Sequence, residues 1–129
     1  MAAEPLTLII QSTAIERVHY AVMMAASNAA LGGAVTLFFA IGTADILKPS
    51  GAGLLDDSHF AEQLEASGIA SIDDLLEALA ELECRIAVCG AALAFAAIEA
   101  SDLRSDIAIE VTGLADILAN VAGGQIIYV

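Results

Sequence analysis

The amino-acid sequence predicts an α/β fold, in which a mainly parallel sheet of about five strands carries helices on both faces. Short apolar runs rich in Ile, Val, Leu and Phe recur along the chain, as expected for buried parallel strands. Longer segments with apolar residues at helical spacing lie between these runs, so strands and helices alternate. The length of 129 residues suits a single domain over 1–129.

The first part of the chain predicts two strands joined by a long helix. Leu6–Ile10 is a continuous apolar run with β-branched residues, which is typical of a buried strand. Thr13 is a good helix-capping residue, and a helix is expected over 15–31. Gly32 and Gly33 would end that helix, and a second strand is expected over 34–41.

The rest of the chain continues the alternation. Glycine and proline mark 42–58 as an irregular loop, a candidate lid, after which Ser58 could cap a short helix. Ser71 and Asp74 have capping-box spacing, which predicts a helix from 72 to about 82. The remaining predicted elements are a strand over 85–88, a helix over 90–100, a short strand over 107–111, a helix capped by Thr112, and a strand over 125–129.

The charge composition excludes several classes of partner. The formal net charge is −13, from 17 acidic residues against four basic ones. Four scattered cations cannot form a basic patch, so neither nucleic acid nor an anionic membrane surface is an expected partner. Nine of the acids lie between Asp56 and Glu83. They form either a solvated helical face or a docking surface for a basic protein.

The apolar content bears on assembly and location. Hydrophobic residues make up 59% of the chain, against a usual value of about 45–50%, which predicts a homo-oligomer. The segment 20–44 carries no charge and is long enough to span a bilayer. Because Gly32 and Gly33 interrupt it, a buried helix followed by a strand is expected instead of a membrane span. No signal peptide is recognised, and the expected location is the cytoplasm.

Cys89 is the main candidate for chemistry. It follows the apolar run 85–88 and precedes Gly90 and an alanine-rich stretch, so a strand is expected to end there and turn into a helix. Chemistry in open α/β sheets gathers at the carboxyl ends of strands. A thiol at a helix N-terminus also faces unpaired N–H groups, which favours the nucleophilic thiolate. The alternative, equally open at this point, is a buried cysteine that acts as a small hydrophobe.

The other candidate groups predict no metal or cofactor site. A strand over 85–88 would separate Cys84 from Cys89 by about 16 Å, too far for a disulfide within one chain. Cys84 is therefore either incidental, a second thiol or an intersubunit contact. The spacing of His19 and His59 relative to the cysteines matches no zinc pattern, and no phosphate loop or dinucleotide fingerprint is present. One further hypothesis has His59 approach Cys89 and assist its ionisation.

Taken together, these elements resemble the DsrE/DsrF-like sulfur-relay family over most of the chain. The resemblance includes the first strand, the segment 71–76, the run 85–89 and the run 107–111. It implies a small flavodoxin-like, three-layer subunit that assembles as a trimer or hexamer. In the family the cysteine after the third strand carries the sulfur, and Cys89 occupies that position. Many relatives have Ser or Met shortly after this cysteine, whereas Gly90 and two alanines follow here, so backbone N–H groups would have to steady a persulfide.

The resemblance leads to one main functional expectation and one alternative. The main expectation is a cytoplasmic, homo-oligomeric sulfur carrier or sulfurtransferase in which Cys89 moves sulfane sulfur between small sulfur-carrier proteins or low-molecular-weight thiols. The alternative is a non-enzymatic binding or assembly module whose Cys89 is buried and inert. Whether the protein is an enzyme stays open between the two.

Overall fold

A computed structural model describes residues 3–49, 58–121 and 123–129. Within these residues five parallel strands form one sheet in the order β4-β3-β2-β1-β5, as the sequence predicts. The strands are β1 Leu6–Ile10, β2 Val35–Phe39, β3 Arg85–Cys89, β4 Glu110–Thr112 and β5 Gln125–Tyr128. The α-helices are α1 Ile15–Ala30, α2 Ser58–Ala66, α3 Ile72–Glu81, α4 Gly90–Ala96 and α5 Leu114–Ala119, and short 3-10 helices cover Ala44–Leu47 and Ala100–Asp102.

The strand order decides which face of the sheet each helix covers. From β1 to β4 every connection steps in the same direction across the sheet, whereas β4 returns past the whole sheet to β5. Because parallel crossovers are right-handed, the early helices fall on one face and α5 falls on the other. Buried side chains of α1, α3 and α4 accordingly share one core with the strands, as Val22, Leu76 and Leu93 do with Leu37 and Val88.

The second face of the sheet has a much thinner cover. Ile117 of α5 packs on Phe38 and Ala87 there, and all three are fully buried. A six-residue helix is about 9 Å long, whereas five strands about 4.8 Å apart form a far wider surface. On β5 the side chains of Ile126 and Tyr128 are consequently 44% and 68% exposed. The prediction of helices on both faces is confirmed, and among the described residues the second face is covered in part by α5.

Side-chain hydrogen bonds to the backbone fix the start of α3. The Ser71 hydroxyl accepts a hydrogen bond from the backbone N–H of Asp74 at 3.1 Å, and the Asp74 carboxylate accepts one from the N–H of Ser71. The predicted capping box is therefore confirmed. His19 of α1, itself buried, lies 2.8 Å from the carbonyl oxygen of Ala70 through Nε2. This contact fixes α1 against the entry to α3.

Neither of the two threonines predicted to cap a helix is the N-cap residue of that helix. The residue before α1 is Ala14, and its N–H donates to the hydroxyl of Ser12, so Thr13 is not the cap. Gly113 precedes α5, whereas Thr112 is the last residue of β4. Thr112 therefore belongs to the sheet ladder, and its hydroxyl reaches Asp116 in the first turn of α5.

Three predicted boundaries also move. The strand expected over 107–111 is Glu110–Thr112, because Ala87–Cys89 of β3 pair with those residues. The helix expected over 90–100 ends at Ala96, after which Ala97 is left-handed. Part of the expected loop is a 3-10 helix, Ala44–Leu47, since its apolar side chains are buried. Residues 50–57 of the candidate lid lie outside the described residues, as does the side chain of Ser58.

The described helices include none that is both long and apolar enough to cross a membrane. The longest, Ile15–Ala30, has 16 residues. The sequence prediction that 20–44 divides into a helix and a strand is thus confirmed, since α1 ends at Ala30 and β2 begins at Val35.

Helices α3 and α4 both end with a non-glycine residue in the left-handed conformation. Glu83 has φ of 59° and Ala97 has φ of 53°. In each case the next N–H reaches back into the helix, from Cys84 to the carbonyl of Leu79 and from Ile98 to that of Leu93. This is the Schellman ending, which normally uses glycine because a Cβ is unfavourable there.

We therefore predict that Ala97→Gly stabilises the protein by about 1 kcal/mol, because it removes the left-handed penalty. Ala94→Gly is the matched control: it places the same change at an exposed position inside the same helix and should destabilise by about 1 kcal/mol. Urea denaturation of the three proteins measures both effects. A loss of stability in Ala97→Gly would show that strain at this helix end is not the controlling factor.

Candidate functional site

Cys89 lies where the sequence places it, at the carboxyl end of β3 and immediately before α4. It is the N-cap residue of α4, with φ of −67° and ψ of 126°, and its side chain makes no capping hydrogen bond. The thiol is free and half-buried. It packs against both apolar clusters: the main core, and the cluster of Phe38, Ala87 and Ile117 beneath α5 on the second face of the sheet. The sulfur is thus partly covered and not sealed in the core.

The end of β4 forms the wall beside Cys89. Thr112 is the register partner of Cys89 in the β3–β4 pair. A Cβ placed on Gly90 would lie 3.8 Å from Val111 Cγ1 and 4.0 Å from the carbonyl oxygen of Thr112, so a methyl group would fit between the start of α4 and the end of β4. At the start of α4, Gly90 is partly exposed and Ala91 is exposed. Small residues therefore border the thiol where a partner would approach.

A charged network holds α5 on the sheet below this edge. The Arg85 guanidinium donates to the Glu110 carboxylate at 2.6 and 2.8 Å and to Asp116 at 2.5 Å. Asp116 also accepts hydrogen bonds from the Thr112 hydroxyl at 3.1 Å and the Asn120 side-chain amide at 3.3 Å. The network thus runs from the amino end of β3, along α5, to the strand position beside Cys89.

The network also sets the protonation of its members. Hydrogen bonds from Arg85 hold the pKa of Glu110 and of Asp116 below their ordinary values, and the Thr112 hydroxyl adds to the effect on Asp116. The same contacts raise the pKa of Arg85. All three groups therefore remain charged under neutral conditions, and Asp116 acts as a hydrogen-bond acceptor.

Cys84 lies at the opposite end of β3 in a different environment. It is half-buried and borders a shallow hollow with several carboxylates, those of Glu77, Glu81, Glu83 and Asp106. Burial raises the pKa of the Cys84 thiol, although a hydrogen bond with the backbone of Val35 partly opposes it. Cys84 and Cys89 are both free cysteines, in agreement with the predicted separation. A role for Cys84 stays open.

The two histidines occupy different structural settings. The ring of His19 meets that of Phe60 edge to face, with centroids 5.6 Å apart, and its Nε2 contacts the carbonyl of Ala70, so its evident role is packing. His59 is exposed near the start of α2, and its approach to Cys89 stays a prediction. Over the described ranges, no three His, Cys, Asp or Glu residues are grouped so as to hold a metal ion.

Sequence reasoning did not identify the two arginine networks. The second one surrounds Arg104, which is 8% exposed and binds the carboxylates of Asp73 and Asp106, each at 2.7 Å. Desolvation would make a buried guanidinium costly without such partners. The feature of the sequence that points to such a network is the scarcity of cations. The chain has four basic residues against 17 acidic ones, so an arginine between apolar segments is expected to pair with carboxylates.

Comparison with known proteins agrees with the resemblance seen in the sequence. A family model described as the DsrE/DsrF-like family matches residues 6–126, nearly the whole chain. No curated protein matches the chain.

The Arg85 network leads to a prediction about acid stability. Because the folded state lowers the pKa of Glu110 and Asp116, their contribution is present above the ordinary values of 4.5 and 3.8. It is lost as pH falls through the lowered values. Arg85→Met should therefore be less stable than wild type at pH 7, and its stability should depend less on pH below 4.5.

Urea midpoints measured at pH 7 and at several acidic values test this prediction. Lys48→Met is the control, since it removes only an exposed pair with Asp45 and should change stability little. If Arg85→Met follows the wild-type curve in parallel below pH 4.5, then Glu110 and Asp116 do not depend on Arg85 as described.

Proposed function

The chain belongs to the DsrE/DsrF-like family, and we propose that it acts as a sulfur carrier or sulfurtransferase that holds sulfane sulfur as a persulfide on Cys89. The family is generally linked to sulfur relay. The observation that supports the assignment to this residue is its position: Cys89 is a free, half-buried thiol at the carboxyl end of β3, beside small and exposed residues.

The proposed reaction has two steps, each a thiolate attack on a sulfane sulfur. The Cys89 thiolate attacks the terminal sulfur of a donor persulfide, R–S–SH. A new S–S bond forms on Cys89 while the donor S–S bond breaks, and R–S⁻ leaves with the electron pair. An acceptor thiolate then attacks the terminal sulfur of Cys89–S–SH and releases the Cys89 thiolate. The sulfur atom is passed on without net oxidation or reduction.

The surroundings of Cys89 support this chemistry. The Cys89 side chain makes no capping hydrogen bond, so it does not occupy the unpaired N–H groups at the start of α4. Gly90 and Ala91, which follow Cys89, are small and are partly exposed and exposed, respectively. We take the exchange partners to be small sulfur-carrier proteins or low-molecular-weight thiols. We also place the reaction in the cytoplasm, where thiols stay reduced.

Homo-oligomerisation is a second part of the proposal, and the thin second face supports it. Leu118 of α5 and Ile126 and Tyr128 of β5 are large side chains that remain between 44% and 68% exposed in one subunit. Large apolar side chains left exposed on a sheet and its covering helix are typical of subunit interfaces. Assembly as a trimer or hexamer would cover it. The same surface favours the second candidate function, an assembly module without sulfur chemistry.

Sulfur uptake tests the main proposal. After incubation with polysulfide, wild type and Cys84→Ser should each gain the mass of at least one sulfur atom, whereas Cys89→Ser should gain none. Intact-mass spectrometry under non-reducing conditions measures the gain. Cys84→Ser is the matched control because Cys84 is also free and half-buried. The absence of uptake in all three proteins would leave the assembly module as the better account.

Sedimentation velocity tests the assembly. Wild type should sediment as an oligomer at micromolar concentration, and Ile126→Asp should weaken the association at least about tenfold because it places a charge on the apolar face. Leu82→Asp is the control, since Leu82 is similarly exposed but lies at the end of α3. A wild-type monomer, or equal weakening by both substitutions, would contradict the proposed interface.

A further inference from the structure

Thr112 and Cys89 lie side by side on the second face of the sheet. They are register partners on neighbouring parallel strands, which run about 4.8 Å apart. Two separate contacts indicate that both side chains are on the side of α5. Cys89 packs against the cluster that Ile117 of that helix forms with Phe38 and Ala87, and the Thr112 hydroxyl donates to Asp116 of the same helix.

The Thr112 hydroxyl donates a hydrogen bond to Asp116, a carboxylate that also has other donors. A hydroxyl has a single proton, and here that proton goes to Asp116 Oδ2 over 3.1 Å. The Asp116 carboxylate is also bound by Arg85 at 2.5 Å and by Asn120 at 3.3 Å. If the hydroxyl rotated away, Asp116 would keep an ion pair and an amide donor.

We propose that the Thr112 hydroxyl exchanges acceptors between Asp116 and the sulfur of Cys89 and is the side-chain donor that stabilises the anionic sulfur. With the neutral thiol, Thr112 donates to Asp116. With the thiolate, or with the persulfide anion, it rotates and donates to sulfur, while Arg85 and Asn120 hold Asp116. The inference rests on the proposed function for the persulfide, and it assigns the donor that the residues after Cys89 do not supply.

Among the described residues, the strands and helices packed against Cys89 carry few charged groups, which makes the effect of one hydroxyl measurable. Of the elements packed against Cys89, β3 contributes Arg85, β4 contributes Glu110 and α5 contributes Asp116, whereas β2 and α4 contain no titratable side chain. Arg85 neutralises much of the two carboxylates' charge by pairing with both. The removal of a donor to the sulfur anion should therefore appear directly in the reactivity of Cys89.

The test is the rate of Cys89 alkylation by iodoacetamide as a function of pH, in a Cys84→Ser background. Thr112→Val keeps the shape of the side chain and removes the hydroxyl. It should raise the pH of half-maximal rate by about one unit, with about a tenfold slower reaction below that pH. Thr112→Ser keeps the hydroxyl and should retain the parent profile. If Thr112→Val does not fold cooperatively on thermal unfolding, Thr112→Ala provides the same measurement.

Two results would overturn the inference: an unchanged profile in Thr112→Val, or an equal shift in Thr112→Ser. A loosening of α5 alone would change access to Cys89 at every pH and would leave the half-maximal pH unmoved. Because alkylation requires no sulfur transfer, the test is independent of the proposed function. If Thr112→Val shifts the alkylation profile but the wild-type protein takes up no sulfur, only the proposed sulfur-carrier function is contradicted. If the wild-type protein takes up sulfur but Thr112→Val leaves the alkylation profile unshifted, only the role of Thr112 is contradicted.

Discussion

The handedness of parallel crossovers is the constraint from which the rest of this structure follows. With the order β4-β3-β2-β1-β5, right-handed connections place α1, α3 and α4 on one face and α5 on the other. One face therefore carries a dense apolar core. In the described part of the chain, the other face carries one short helix, α5, and the candidate thiol lies at its border.

A helix of six residues needs more than apolar burial to stay in place. Ile117 is the buried anchor of α5, and the Arg85–Glu110–Asp116 contacts supply a polar one. The polar anchor continues through Thr112 to the strand position beside Cys89. The groups that attach α5 to the sheet thus also determine the surroundings of the sulfur, so the fold and the site share the same few residues.

The sequence predicted the features that depend on local pattern. Apolar runs located the strands, the Ser71–Asp74 spacing located the start of α3, and the strand-to-helix turn located Cys89. It could not predict the thin second face, because that depends on the strand order and not on any one segment. The pairing of Arg85 with Asp116 joins residues 31 positions apart, and no local pattern indicates it. Thr112 was misread as a helix cap because its residue type suits a cap, whereas its position in the β3–β4 ladder decides its role.

Localisation of the transferred sulfur tests the central claim most directly, and the sequence allows it to be done without a substitution. Arg85 lies between Cys84 and Cys89, so trypsin places the two thiols in different peptides, with Cys89 in 86–104. Wild-type protein would be loaded from a small-molecule persulfide, trapped by alkylation and digested. We expect the peptide 86–104 to carry the mass of one additional sulfur atom and to lose it after a chase with an acceptor thiol. Extra sulfur on the Cys84 peptide alone, or none on either peptide, would contradict the assignment of Cys89 as the sulfur-carrying residue.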